Sequence, residues 1–393
     1  MKPSVLVICN ALDDVTRQQR GITTDSPAAS RKIFMLCQAL RLAGVKPCVV
    51  SLGRGRAGGS KEFFPSFVCR VDGVPIFYAP FSRVPFLSEL VSLLAPLGII
   101  FKLRRQNPKA IIFYNRMTAY IPSLLVSSVL GYRNVLDLED GEVPASGQKR
   151  GRFLVSVVPR LFDRLCKKGA LLACNALAEF TTARPVLSYY GTAVGEPSSK
   201  KWQSECVTVL MGGTLCSDTG AELLIDSIRQ LRHDAPPWAA QLRFDVTGSG
   251  PSLAGLIALA AEPGYPKVTV HGRTTDMQYR EVLQRCDVGL ALKLNNGPLA
   301  NTTFPSKVIE FAAAGLLVLT TDISDVRQVL GTTGALYLTQ DKPQALIDLL
   351  QDIVKNRTMA RECAQSGLLN VRALCSPESS GQAVANFIFG DIR

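Results

Sequence analysis

Two doubly wound α/β domains are the fold class this sequence predicts, and three observations predict it. The chain has 393 residues, too many for one ordinary core and enough for two domains of roughly 150 to 200 residues each. Short β-rich runs alternate with longer helical patterns through most of the length, as in parallel sheets with crossover helices. The alternation is interrupted once, over 191–203, by the polar and punctuated stretch GTAVGEPSSKKWQ, which reads as a linker. The expected organisation is therefore a domain over 1–190, a second over 191–376, and a segment over 377–393 that packs back on the first. Hydrophobic residues make up 47% and charged residues 19%, which supplies two cores and excludes a disordered chain.

The elements follow in order. In the first domain, apolar runs predict strands over 5–9, 47–52, 110–114, 134–138 and 170–173. The long polar stretch after the first strand, residues 10–30, reads as a loop, and Gly21, Thr23, Thr24 and Asp25 within it stand where an anion or hydroxyl can be bound. Residues 28–42 carry Ile33, Phe34, Leu36, Cys37 and Leu40 on one helical face and stop at Gly44, which predicts an amphipathic helix. The second domain repeats the alternation. Strands are expected over 207–211, 242–246, 267–270, 288–292 and 316–320, and helices over 219–231, 252–261, 276–286, 306–314, 343–354, 359–374 and 377–389. His233 belongs to HDAPP, read as a loop. Two such domains enclose a cleft, and ligands bind outside the carboxyl ends of the strands.

Charge is unevenly placed. Residues 1–190 hold 26 Lys and Arg against 12 Asp and Glu, whereas residues 191–393 hold 18 against 20. The first half is thus expected to face something anionic: a nucleic acid, a phosphorylated acceptor or an acidic lipid surface. Residues 81–105 and 148–168 mix Leu, Val and Phe with Arg and Lys. That is the composition of a surface-lying amphipathic helix, and equally that of a core helix with a basic outer face. The longest apolar stretch, 86–101, contains Glu89 and Pro96 and is shorter than the roughly 20 residues a membrane span needs. Eleven cysteines stand singly, without a CxxC pair, and no secretory signal is evident. A cytoplasmic protein without structural zinc is expected, lying on the inner face of the cell membrane if the basic half finds lipid. With His233 and His271 as the only histidines, the sequence argues against a histidine metal cluster and a Ser/His/Asp hydrolase.

The segment 301–322, NTTFPSKVIEFAAAGLLVLTTD, carries the strongest chemical signal. Pro305 suits a first helical turn, and Ser306 and Lys307 stand at its start, where amide donors and a full positive charge meet a phosphate. Glu310 follows Lys307 by three residues on the same face, and its carboxylate can accept hydrogen bonds from ribose hydroxyls. The alternative is an exposed Lys/Glu pair on an ordinary helix. Gly248, Ser249 and Gly250 follow a predicted strand, a weak nucleotide signal that lacks the third glycine and acidic ribose ligand of a dinucleotide fingerprint. In the first half, a strand ends in Asp137, Glu139 and Asp140. Carboxylates there must face an open site or meet basic partners, because burying them unpaired is costly.

Residues 207–338 resemble the nucleotide-sugar domain of the retaining glycosyltransferases of family four, which have the GT-B fold of two Rossmann-like domains. Gly212, Gly213 and Thr214 with SDTGAELLIDSI look like that family's first phosphate loop and helix, VTGSGP like its second strand and glycine turn, and FPSKVIEFAAAG like its donor helix. The resemblance implies a transferase that moves a sugar from a nucleotide diphosphate sugar to an acceptor hydroxyl with retention. It implies Glu310 on the ribose, Lys307 with the glycine segments and Arg273 around the diphosphate, and His271 near the base or phosphates. Phe304 and Ser306 belong to the same donor motif. Family members often carry two glutamates eight positions apart; Thr302 stands at the first position here, so its hydroxyl or that of Thr303 would meet the donor. The usual phosphate-loop Arg and Lys are also replaced. By the same analogy Asp140 or Glu139 orients the acceptor. No metal or other cofactor is implied, and no nucleic-acid partner. The basic half favours a saccharide acceptor, lipid-linked, at an anionic membrane surface, as in polysaccharide assembly. A non-catalytic nucleotide-sugar binder and a dinucleotide oxidoreductase are the alternatives.

Overall fold

Unbroken apolar runs build the sheet of the first unit. Its strands are β1 (Ser4–Cys9), β2 (Lys46–Ser51), β3 (Phe63–Phe64), β4 (Phe67–Val71), β5 (Val74–Tyr78), β6 (Phe81–Ser82), β7 (Ala110–Tyr114), β8 (Arg133–Leu138), β9 (Ala170–Leu172) and β10 (Val186–Ser188). The computed structural model describes residues 2–58, 62–104, 110–140, 152–198, 201–294 and 300–390. Among these, eight strands form one sheet in the order β10-β9-β8-β7-β1-β2-β5-β4. Its neighbours run parallel except for the β4–β5 hairpin at one edge, and β3 pairs with β6 apart from it. Central strands such as β1 and β7 are buried on both faces, as helix-covered parallel strands must be.

The helices of this unit are α1 (Asp14–Arg20), α2 (Pro27–Leu42), α3 (Pro85–Leu103), α4 (Ile121–Val129) and α5 (Arg152–Leu165). The first of these corrects the expectation of a loop over 10–30. Asp13 caps α1 by accepting from the Thr16 amide, and Gly21 ends it at φ +61°. Asp25 there accepts from Arg17 at 2.7 Å, and Thr24 Oγ1 accepts from the Arg56 amide. Strand order reverses between β1 and β7, so right-handed crossovers put α2 on one face and α3, α4 and α5 on the other. The packing of α3 on α4 and of α4 on α5 agrees.

Unit 2, Ala193–Ser376, has a second parallel sheet. Its strands β11 (Val207–Thr214), β12 (Leu242–Ser249), β13 (Lys267–Gly272), β14 (Val288–Ala291), β15 (Leu317–Thr321) and β16 (Leu336–Leu338) run in the order β13-β12-β11-β14-β15-β16. Between them lie α6 (Ala221–Asp234), α7 (Leu253–Ala261), α8 (Asp276–Arg285), α9 (Lys307–Ala313) and α10 (Val326–Leu330), followed by α11 (Pro343–Lys355) and α12 (Arg357–Cys375). The HDAPP reading is corrected: His233 and Asp234 complete α6, and Ala235 ends it in the left-handed region. The linker reading is corrected at its far end. Lys201 is buried, donating to the Leu283 and Cys286 carbonyls at the end of α8, where a cation is favoured. Burial pushes its pKa down to about 8.

The last helix, α13 (Pro377–Phe389), belongs to unit 1, which comprises Met1–Thr192 and Pro377–Arg393. Val384, Ala385 and Ile388 are buried in its core with Ile33, Leu36, Cys37 and Leu40 of α2. At Gly381 a Cβ would stand 2.1 Å from the Ala39 carbonyl oxygen, so glycine lets the two helices meet backbone to backbone. All eleven cysteines are free thiols. Among the described residues no helix is long and apolar enough to cross a membrane.

Candidate functional site

In unit 2 the carboxyl ends of β11 and β12 lie side by side, Gly212 opposite Thr247, Gly213 opposite Gly248 and Thr214 opposite Ser249. Gly212, Gly213, Thr214, Gly248 and Ser249 are therefore strand residues, where a loop and a turn were expected. The pairing needs glycine. A Cβ on Gly248, whose φ is +118°, would meet the Gly213 oxygen at 1.9 Å. A Cβ on Gly213 would lie 3.5 Å from Lys307 Cε, and one on Gly212 3.0 Å from Thr247 Oγ1 and 3.6 Å from the Tyr279 ring. The two glycines thus leave a floor on which Lys307 and Tyr279 converge.

Lys307 opens α9, and Ser306 occupies the cap position without a capping hydrogen bond from its side chain. The helix has only seven residues, so its dipole adds little, and the side chains set the character of the site. Lys307 Nζ donates to Glu310 Oε2 at 2.6 Å and to the Tyr279 hydroxyl at 2.9 Å, and lies 4.6 Å from the centroid of the Tyr279 ring. Lysine and glutamate are both half-buried. Lys307, Glu310 and the glycine floor are thus brought together as the sequence implied. Tyr279 and Thr247 were missed, because Tyr279 shares an apolar helical face with Val282 and reads as core.

The other residues expected to meet a donor differ in exposure. Thr302 is buried in a turn over Ala300–Thr302, Thr303 and Phe304 are partly buried, and Arg273 and Ser306 are exposed. His271 is engaged elsewhere: its Nε2 lies 2.6 Å from Asp245 Oδ1 and 2.9 Å from Arg285 Nη2. Burial pushes the Asp245 carboxyl up, but hydrogen bonds from Arg285 and His271, with their charges, outweigh burial and hold it below the usual range. A cavity of about 600 Å³ lies toward the other end of these strands, among Leu242, Lys267 and Arg285, away from the strand ends where such sheets bind ligands.

In unit 1 the acidic strand end has a basic partner. Lys32 of α2 donates to Glu139, stands 3.6 Å from Asp137 Oδ1 and lies 5.0 Å from the Tyr189 ring centroid. Asn115, at φ +60°, clamps the turn: its amide donates to the Asp137 carbonyl and its Oδ1 accepts from the Glu139 amide. Burial pulls both charges toward neutrality, Asp137 upward and Lys32 downward, against their mutual attraction. Of the two carboxylates proposed to orient an acceptor, Glu139 is therefore tied to Lys32, while Asp140 is exposed. Residues 141–144 of this segment lie outside the described residues.

Residues 206–356 match the family described as glycosyl transferases group 1. Over nearly the whole chain the fold is similar to that of HepE from Anabaena, crystallised with UDP (14% identity, 98% of each chain, TM-score 0.66). It is equally similar to sucrose-phosphate synthase from Thermosynechococcus elongatus (14% identity, 98% of each chain, TM-score 0.65) and to TarM (9% identity, 99% of each chain, TM-score 0.65). The chain is a glycosyltransferase of the GT-B fold. No curated protein matches its sequence. The group 1 match falls within unit 2 and contains β11 to β16, the glycine floor, Tyr279, Lys307 and Glu310. In this glycosyltransferase the first unit carries its own buried charge cluster, outside the matched residues.

Proposed function

We propose that this glycosyltransferase takes its sugar from a nucleoside diphosphate sugar held by unit 2 and delivers it, with retention, to a hydroxyl of a lipid-linked saccharide at an anionic membrane surface. The observation that carries the donor reading is the convergence of Lys307, Glu310 and Tyr279 on the floor made by Gly212 and Gly213. HepE is known in complexes with UDP and with UDP-glucose, and TarM from S. aureus with UDP, fondaparinux and α-GlcNAc-glycerol. Those neighbours support a nucleotide donor and a saccharide acceptor.

On this reading the diphosphate takes up Lys307, whose ammonium is balanced by Glu310 before the donor arrives. Glycine at Gly213 lets phosphate oxygens approach the backbone beside Lys307, and glycine at Gly248 lets the two strand ends pair closely enough to hold that floor. Released from the ammonium, Glu310 accepts hydrogen bonds from the ribose. Leaving-group charge grows on the diphosphate as the glycosidic bond breaks, and Lys307 stabilises that charge in a half-buried setting where it counts for more than in water. Asp140 orients the acceptor hydroxyl, whose oxygen bonds to the anomeric carbon as the diphosphate departs and whose proton passes to the leaving diphosphate oxygen.

A thermal-shift panel of nucleotide sugars tests the site. One donor should raise the melting temperature of the native chain, and Glu310→Ala should weaken its binding at least tenfold, about 1.4 kcal/mol. Lys307→Ala should weaken free UDP and the intact sugar nucleotide alike. Absence of any shift across the panel, or a Glu310→Ala protein that binds as the native one does, overturns the donor reading.

A further inference from the structure

Helix α3 wears its apolar side outward. Phe86, Leu90, Leu94, Leu97 and Phe101 recur at intervals of three or four residues, which places them on one side of an α-helix. Phe86 is 79% exposed, Leu94 55%, Phe101 52% and Leu90 42%. Ser92, Pro96 and Ile100, spaced by four, are the buried positions, so the hidden face is the less apolar of the two. A surface helix of a globular domain has the opposite arrangement. Packed on α3, helix α4 adds exposed Leu125 and Val129, again four residues apart.

Cations edge this surface. Lys102 and Arg104 are exposed at the carboxyl end of α3, within a half of the chain that holds 26 Lys and Arg against 12 Asp and Glu. One exposed carboxylate, Glu89, stands in the first turns of the helix on the stripe of the buried positions, three residues before Ser92, and so away from the apolar outward face. Next to α4, helix α5 behaves in the ordinary way: Val158 and Phe162 within it and Cys166 just past its end are buried, while Arg160 and Arg164 are exposed. Of the two segments with the same mixed composition, 81–105 and 148–168, the apolar outer face belongs to the first, and the second contributes charge.

We propose that the outward face of α3, with the exposed end of α4, lies flat in the headgroup layer of an anionic bilayer, Phe86, Leu90, Leu94 and Phe101 entering the acyl boundary and Lys102 and Arg104 meeting lipid phosphates. No helix among the described residues can cross a membrane, so the attachment is interfacial, of the kind an amphipathic helix makes. A second copy of the chain is the poorer occupant. Pairing the same face of two copies would bring their cationic edges together, whereas anionic lipid neutralises them. The inference deepens the membrane part of the proposed function by naming the element that docks, and it stands or falls separately from the donor site.

Vesicle flotation of the full chain, without donor or acceptor, is the test. At low salt the chain should float with phosphatidylcholine vesicles that contain phosphatidylglycerol and remain below with pure phosphatidylcholine. The triple variant Phe86→Glu, Leu94→Glu, Phe101→Glu should lose more than tenfold in partitioning. Lys102→Gln with Arg104→Gln should lose about fivefold for each cation near the surface. A separate Phe86→Trp chain should show fluorescence quenched by brominated lipid, beyond the quenching of native Trp202 and Trp238. This readout does not depend on the triple variant's folding. Equal flotation of native chain and triple variant, no flotation with the anionic vesicles, or a solution dimer that the triple variant abolishes each overturns the proposal. A missing donor shift in a chain that floats would instead count against the donor site alone.

Discussion

At the scale of single residues, Asp245 shows how a charge inside a sheet is kept. It is 6% exposed and accepts from Arg285 Nε at 3.0 Å, with Arg285 Nη2 and His271 Nε2 at 2.8 and 2.6 Å from its other oxygen. Because these partners hold its folded pKa below the unfolded value, its contribution to stability is present above the ordinary carboxylate range. That contribution is lost as pH falls through the folded pKa. Asp245→Asn should therefore cost about 1 to 3 kcal/mol at neutral pH and progressively less in acid. Melting temperatures of both proteins across the acid range check this, and a constant gap would exclude the linkage. The pair was not legible in the sequence. The strand expected over 267–270 leaves His271 at its end, and the observed strand takes it in, but the partner of His271 stands 26 residues earlier. The β12–β13 register shifts after Val246, and His271 falls between Val270 and Gly272 as the residue without an opposite number. Bulges of this kind re-aim a side chain, and apolar periodicity carries no trace of them. Lys307 and Glu310 were legible because three residues on a short helix fix their proximity; Lys32 and Glu139 were not, being 107 residues apart in the chain.

At the scale of elements, the strand ends of unit 2 decide what the site can hold. Apolar content ended the first two strands near Met211 and Val246, yet the ladder continues to Thr214 and Ser249. Backbone pairing does not require apolar side chains, and glycines permit an approach that larger residues forbid. Gly248→Ala would put a Cβ against the Gly213 carbonyl at a φ that suits glycine and should cost at least about 1 to 3 kcal/mol, with donor affinity falling as the floor under Lys307 moves. Calorimetry with and without the tightest-binding nucleotide measures both; an unchanged melting temperature would refute the close pairing. Most long elements could be read in advance, since α2, α11, α12 and α13 follow clear helical periodicity. The β4–β5 hairpin was missed because neither strand is an unbroken apolar run: β4 carries Arg70 and is nowhere fully buried, and β5 carries Pro75, which argues against a strand. Outward and inward faces of α3 and α5 could not be distinguished from composition, because only tertiary packing selects which stripe is covered.

For the whole molecule, the GT-B fold and the transferase activity were legible because both rest on long alternating patterns and one dense motif. The charge cluster of unit 1 was less so, since Lys32, Asp137 and Glu139 come together only through the packing of α2 against the strand order of the first sheet. Val384, Ala385 and Ile388 of α13 are fully buried in the core of unit 1. Burying such side chains stabilises by roughly 1 to 3 kcal/mol each for the larger ones. A chain truncated after Ser376 should therefore lose several kcal/mol from unit 1 while unit 2 keeps its stability. Hydrogen exchange would locate the loss: fast exchange confined to β1, β2 and α2 is expected, and a loss shared equally by unit 2 would contradict the assignment of α13.

That helix also sets a timetable for the nascent chain. Unit 2 is contiguous in sequence and can fold as soon as it leaves the ribosome, whereas the earlier-made sheet waits with one side of α2 bare until some two hundred further residues have been translated, a delay of roughly 10 to 40 seconds at ordinary bacterial-to-eukaryotic synthesis rates. The half that emerges first is completed second, and through that interval it offers chaperones an open apolar surface.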